Sequence, residues 1–120
     1  HIEFAEHIPI PIILHICGRT VDRMEYIAQT GMAAFHYDSK NDPTESIHIM
    51  KERISLVGNI NNPETLFSKG PDVVREEVIR NLEAGVHLVG PECAIPLQTS
   101  IENLKAIPEA VKEWHKEQAA

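Results

Sequence analysis

His15 and Cys17 stand two residues apart at the end of an apolar run, PIILHIC (11–17), and the chain breaks directly afterwards at Gly18. Residues i and i+2 of a strand project to the same face. These two side chains therefore leave the strand together, with Ile16 pointing the other way. Imidazole and thiolate are both zinc ligands, with Zn–N about 2.0 Å and Zn–S about 2.3 Å, so one strand end can present both to a single ion. A second cysteine, Cys93, follows another apolar run in VHLVGPECAIP (86–96). Gly90 and Pro91 are read as ending that strand, which puts Cys93 in a loop, where function concentrates. A curved or closed sheet can deliver Cys93 as a third ligand, and three protein ligands leave one tetrahedral position open, as catalytic zinc sites do. The plainer alternative is packing, because cysteine is among the most buried residue types.

Other residues offer weaker chemistry. Asp38 ends the apolar run MAAFHYD (32–38) and is either a fourth ligand or a loop carboxylate beside the next helix. His36 shares its strand parity and reads as a hydrogen-bonded core histidine. Asn59 and Asn61, in GNINN, either hold a substrate or form a turn. His7, His48, His87 and His115 have no partner pattern and read as surface or supporting residues, and Trp114 reads as packing. No glycine-rich phosphate loop follows any strand, which disfavours nucleotide chemistry.

The elements that must position these residues alternate regularly. Runs at 11–17, 32–38, 54–60 and 86–96 read as strands. Between the first two, TVDRMEYIAQTG has Val21, Met24 and Ala28 at helical spacing, with Gly31 as the stop. DPTESIHIMKER carries Asp42 as N-cap, Pro43 at N1 and Glu45 at N3, with an apolar stripe of Ile47, Met50 and Ile54. NNPETL predicts one short helical turn. PDVVREEVIRNLEAG is the clearest helix, with Val74, Val78 and Leu82 on one face and Gly85 closing it. The last helix is expected to open with a capping box, Thr99 to Glu102, and to split at Pro108. Repeated strand–helix units imply parallel strands with helices packed outside. An open doubly wound sheet and half of a (β/α)8 barrel both fit, and both place chemistry at the C-terminal ends of strands.

Composition narrows the function classes. The chain has 120 residues and a net charge of −7, from 11 basic and 18 acidic residues, with no basic cluster. That balance argues against nucleic-acid binding, which selects for a positive surface. No apolar stretch approaches the roughly 20 residues that cross a bilayer. With only two cysteines, both after strand-like runs, a reducing cytoplasmic setting is expected rather than a disulfide framework. The opening HIEFAEHIPIP reads as the tail of a helix already under way. Residues 1–120 are therefore expected to be a single fragment of a longer protein, with open sheet edges that favour self-association.

LHICG, VGNINNPETL and GPECAIPLQTSIENLKAI resemble the C-terminal half of the uroporphyrinogen decarboxylase superfamily, from about Pro11 to Trp114. More narrowly they resemble its zinc-dependent methylcobamide:coenzyme M methyltransferases, enzymes of methyl-group metabolism in methanogens. The resemblance implies a (β/α)8 TIM barrel, of which these are the last four units. It implies zinc held by His15, Cys17 and Cys93, with Asp38 near the fourth position. It also implies a methylated corrinoid as donor, on a partner protein or free, and a small thiol such as coenzyme M as acceptor. Glu92 and Ala94 around the last cysteine depart from the small, glycine-rich motif usual there, which leaves the thiol open. The alternatives are a decarboxylase-like member of the superfamily and a non-catalytic βα domain that binds a partner.

Overall fold

A computed structural model describes residues 1–120. Four strands, β1 (Ile13–Ile16), β2 (Ala34–Tyr37), β3 (Ser55–Ile60) and β4 (Leu88–Pro91), alternate with helices. The helices are α1 (Ile2–His7), α2 (Met24–Ala28), α3 (Pro43–Met50), α4 (Pro71–Ala84) and α5 (Ile101–Ala119). A 3₁₀ turn, Val21–Arg23, leads into α2, and a π-type turn, Asn62–Leu66, follows β3. No helix is long and apolar enough to cross a membrane.

All strands are parallel and pair in chain order, β1-β2-β3-β4. A doubly wound sheet reverses its strand order at a switch point. This sheet has no reversal and follows the sequential order of a (β/α)8 barrel. Right-handed crossovers between successive neighbours put the connecting helices on one side only. The burial pattern records the result. Phe35, Tyr37 and Leu56, which face the helices, are fully buried. On the other face Ile13 is 57% exposed and Leu88 is 60% exposed.

The helix layer packs in two groups. Met24, Ile27, Met50, Ile54 and Val86 gather with Phe35, Tyr37 and Leu56. Ile60, Leu66, Val74 and Val78 gather with Ala106, Ile107 and Ala110 of α5. Asp42 and Pro43 start α3 as expected, but the Asp42 side chain caps nothing. Its backbone carbonyl instead accepts from Ser46 N at 2.9 Å and Ser46 Oγ at 2.7 Å. The helix ends at Met50 because Lys51 (φ 48°) and Glu52 (φ 62°) turn left-handed. Ile54, read from the sequence as the junction of the helical stripe and the third strand, lies past the helix and just before β3, packing into the core from there.

Two expectations for the last helix are corrected. Its N-cap is Ser100, whose hydroxyl accepts from Asn103 N, rather than Thr99. Pro108 does not split it, and α5 runs unbroken from Ile101 to Ala119. An internal proline costs about 3 kcal/mol. Burial of Ala106, Ile107 and Ala110 against α4, on both sides of the proline, offsets that cost.

Candidate metal centre

β1 delivers His15, and Cys17 follows one residue past the strand end. β4 closes with Gly90 and Pro91, as the sequence suggests, and Cys93 sits in the loop two residues on. The ligating atoms of His15, Cys17 and Cys93 all lie within 4.8 Å of one another. His15 Nε2 is 3.1 Å from Cys17 Sγ, and Cys17 Sγ is 3.3 Å from Cys93 Sγ. His15 and Cys17 are exposed and Cys93 is half-buried, so the cluster opens to solvent.

The donor atoms suit a soft divalent cation. His15 Nδ1 donates to the carbonyl of His36 at 3.1 Å, which leaves the Nε2 lone pair toward the two sulfurs. Such a hydrogen bond on the far nitrogen commonly orients a metal-binding imidazole. Without a cation the site resists negative charge. The hydrogen bond to Cys93, partial desolvation, and the charges of Cys93, Asp38 and Glu92 all push the Cys17 thiol above its ordinary range. A bound cation reverses that balance, since a coordinating thiol is deprotonated outright. Two sulfurs and one nitrogen are a normal zinc ligand set.

Asp38 lies outside this group of three. Its Oδ2 accepts from Gly18 N at 2.8 Å and its Oδ1 accepts from Lys40 N at 2.9 Å. Burial pushes the Asp38 carboxyl up, but those two N–H donors, with Glu92 and Lys40 nearby, hold it below the usual carboxylate range. Here the carboxylate ties the turn after Cys17 to the end of β2. The neighbouring Asn41, almost fully buried, does the same from the other side. Its Oδ1 accepts from Thr20 N and Val21 N, and its Nδ2 donates to the carbonyls of Gly18 and Asp38. Asn59 Nδ2 donates to the carbonyls of Asp38 and Asn41, so that amide builds the loop scaffold. Asn61 caps the following turn, accepting from Glu64 N at 2.7 Å.

The residue whose structural role sequence reasoning missed is Glu92. It is buried, and its carboxyl accepts from Ser39 N at 2.7 Å and Asn62 N at 2.9 Å. It thereby fastens the loops after β2 and β3 to the loop that carries Cys93. The available signal was a charged residue placed between a strand-ending proline and a cysteine. Its partners, far away along the chain, give no local pattern. Of the remaining histidines, His7, His48 and His115 lie exposed on helices. His87 accepts from Leu56 N at 3.1 Å. Trp114 is half-buried on α5.

Comparison with known proteins agrees with this architecture. The family model described as uroporphyrinogen decarboxylase (URO-D) matches residues 2–114. The chain belongs to the uroporphyrinogen decarboxylase family. Within that family it is similar to the methylcobamide:CoM methyltransferase MtaA of Methanosarcina barkeri, at 31% identity over 114 residues, covering 94% of this chain and 34% of that protein. It is also similar to the methylated-thiol–coenzyme M methyltransferase of Methanosarcina mazei, at 28% identity, covering 94% of this chain and 30% of that protein. A solved structure, a methyltransferase from Methanosarcina mazei, superposes with a TM-score of 0.91 at 29% identity, covering 95% of this chain and 34% of that one. The chain spans about a third of the length of these family relatives. The fold class expected from the sequence, an α/β segment of a (β/α)8 barrel, stands.

Proposed function

We propose that residues 1–120 form the C-terminal half-barrel of a larger barrel domain, and that this half carries the zinc site of a methyltransferase. The reaction moves a methyl group from a methyl-Co(III) corrinoid to a small thiol such as coenzyme M. The observation that carries this reading is the convergence of His15, Cys17 and Cys93 at the C-terminal ends of β1 and β4. The resemblance to methylcobamide:CoM methyltransferases supplies the donor and acceptor classes.

His15 Nε2, Cys17 Sγ and Cys93 Sγ would hold the zinc. When bound, zinc supplies a Lewis acid that keeps an incoming thiol deprotonated near neutral pH, where a free thiol with pKa about 8.5 is mostly protonated. The chain's own residues do the remaining work. Three protein ligands leave a position for the acceptor sulfur on the open side of the cluster. The His36 carbonyl keeps the His15 ring in one tautomer. Asp38, Asn41 and Glu92 hold the strand-end loops, so that ligands from the first and fourth strands stay in register. Asp38 serves the site through the backbone of Gly18 and is the candidate to fill the open position before the thiol arrives. The methylated corrinoid would supply an activated methyl group, which the acceptor sulfur would take up as a thioether. The corrinoid, free or on a partner protein, must approach from the exposed side.

The test is thiol-dependent demethylation of methylcobalamin by the full-length chain under anaerobic conditions, followed in the cobalamin spectrum, with metal analysis of the same sample. About one zinc per chain and turnover that needs the thiol are expected. A metal-free protein with both thiols unreactive overturns the reading in favour of a decarboxylase-like or partner-binding member of the family.

A further inference from the structure

We propose that His36 is a positioning residue that sets the spacing between the two arms of the metal site. The inference rests on the zinc reading above. The site draws His15 and Cys17 from β1 and Cys93 from the loop after β4, and these strands do not pair with each other. His36, on β2, bonds to both arms. Its backbone carbonyl accepts from His15 Nδ1 at 3.1 Å. Its side-chain Nε2 donates to the carbonyl of Pro91 at 2.7 Å, two residues before Cys93. The two imidazoles also pack together, with ring centroids 4.5 Å apart.

The side chain reaches β4 across the intervening β3, and the sequence leaves room for it. Gly58 of β3 has φ 126°, and a Cβ there would sit 2.8 Å from the Tyr37 carbonyl and 3.4 Å from His36 Cδ2. A side chain at that position would clash with the Tyr37 carbonyl and would lie against the imidazole. His36 is half-buried and opposite His15 in the strand register. It touches the ligand on one arm and the backbone leading to the ligand on the other. Losing the Pro91 bond frees the β4 arm to drift from the β1 arm, and the three donor atoms then meet a metal ion with poorer geometry.

Full-length wild type, His36→Leu and His36→Gln are titrated with Co²⁺ alone under anaerobic conditions, reading the thiolate-to-cobalt charge-transfer and d–d bands. Zn²⁺ affinity is measured on the same proteins by chelator competition. His36→Leu is expected to lose 10- to 100-fold in affinity, the range for residues that orient metal ligands, and to show altered d–d bands. His36→Gln is expected to recover both, because its amide nitrogen reaches about where the imidazole Nε2 lies. If His36→Leu does not fold, His36→Asn takes its place, since its shorter amide cannot reach Pro91. Wild-type affinity and spectrum in the folded Leu or Asn variant overturn the positioning role while leaving the metal site intact. Absence of a thiolate–cobalt band in wild type overturns the zinc reading itself, and this inference with it.

Discussion

The two faces of one sheet show how differently neighbouring residues of a strand can be used. Phe35 and Tyr37 of β2 point into the helix layer and are fully buried. His36, between them, points the other way, remains half-buried and holds two hydrogen bonds that bridge strands. The helix-side face is apolar and close-packed. The bare face carries Ile13, His15 and Leu88 in the open and meets the loops with Cys17 and Cys93 at its rim. Stability is concentrated on one face and the candidate chemistry on the other, because period-2 alternation separates them and sequential parallel crossovers cover only one.

The strongest way to break this division is at the rim. Cys17→Ala or Cys93→Ala in the full-length chain should abolish thiol-dependent demethylation of methylcobalamin and sharply weaken zinc binding, because each removes a sulfur ligand. His48→Ala, on an exposed helix surface, should leave both unchanged. Full activity in Cys93→Ala would return that cysteine to simple packing. Asp38→Ala should be milder than either cysteine variant, since it frees the Gly18 and Lys40 N–H groups without removing one of the three ligands, and zinc titration would rank them.

On the covered face the expected loss is in stability rather than chemistry. Phe35→Ala should cost about 3–5 kcal/mol, as large buried aromatics do when truncated, measured by denaturant unfolding. A cost under about 1 kcal/mol would mean that the helix layer packs more loosely than its burial indicates.

The bare face and the free edges of β1 and β4 sharpen the comparison through association. Ile13 and Leu88 expose apolar surface that the remainder of a barrel would cover. The isolated 120-residue chain should therefore self-associate, and Ile13→Glu with Leu88→Glu should shift it toward monomer in light scattering. A well-ordered monomer of the unaltered chain would count against the half-barrel reading.

The smallest effect is expected at the outer surface of the helix layer. Arg53 donates two bonds to Glu25, at 2.7 and 2.8 Å, and with Gln29 holds that carboxyl down to about 2. A depressed folded-state value means stability that is present above the unfolded carboxylate range and lost as pH falls toward 2. Glu25→Gln should flatten that part of the acid unfolding curve slightly, the pair being exposed and screened. A large change at neutral pH would show that the pair does more than decorate the surface.

The four strands, the α4 helix with its Gly85 stop, and the shared direction of His15 and Cys17 were all legible in the sequence. Each follows from a local period or a local terminator, which a few consecutive residues encode. From spacing alone the Cys17–Cys93 approach was legible only as a condition on sheet curvature, and otherwise it was implied by the family resemblance. Tertiary structure decided the rest. It chose sequential strand order over a switch point, carried α5 through Pro108 because burial on α4 offsets the lost hydrogen bond, and set the cap at Ser100. It also gave Asp38, Asn41 and Glu92 their partners among backbone amides and carbonyls of other loops, and sent the His36 side chain to Pro91. Those interactions join residues 20 to 55 positions apart. No local period announces such a contact, because its free energy arises only after the strands have brought the loops together.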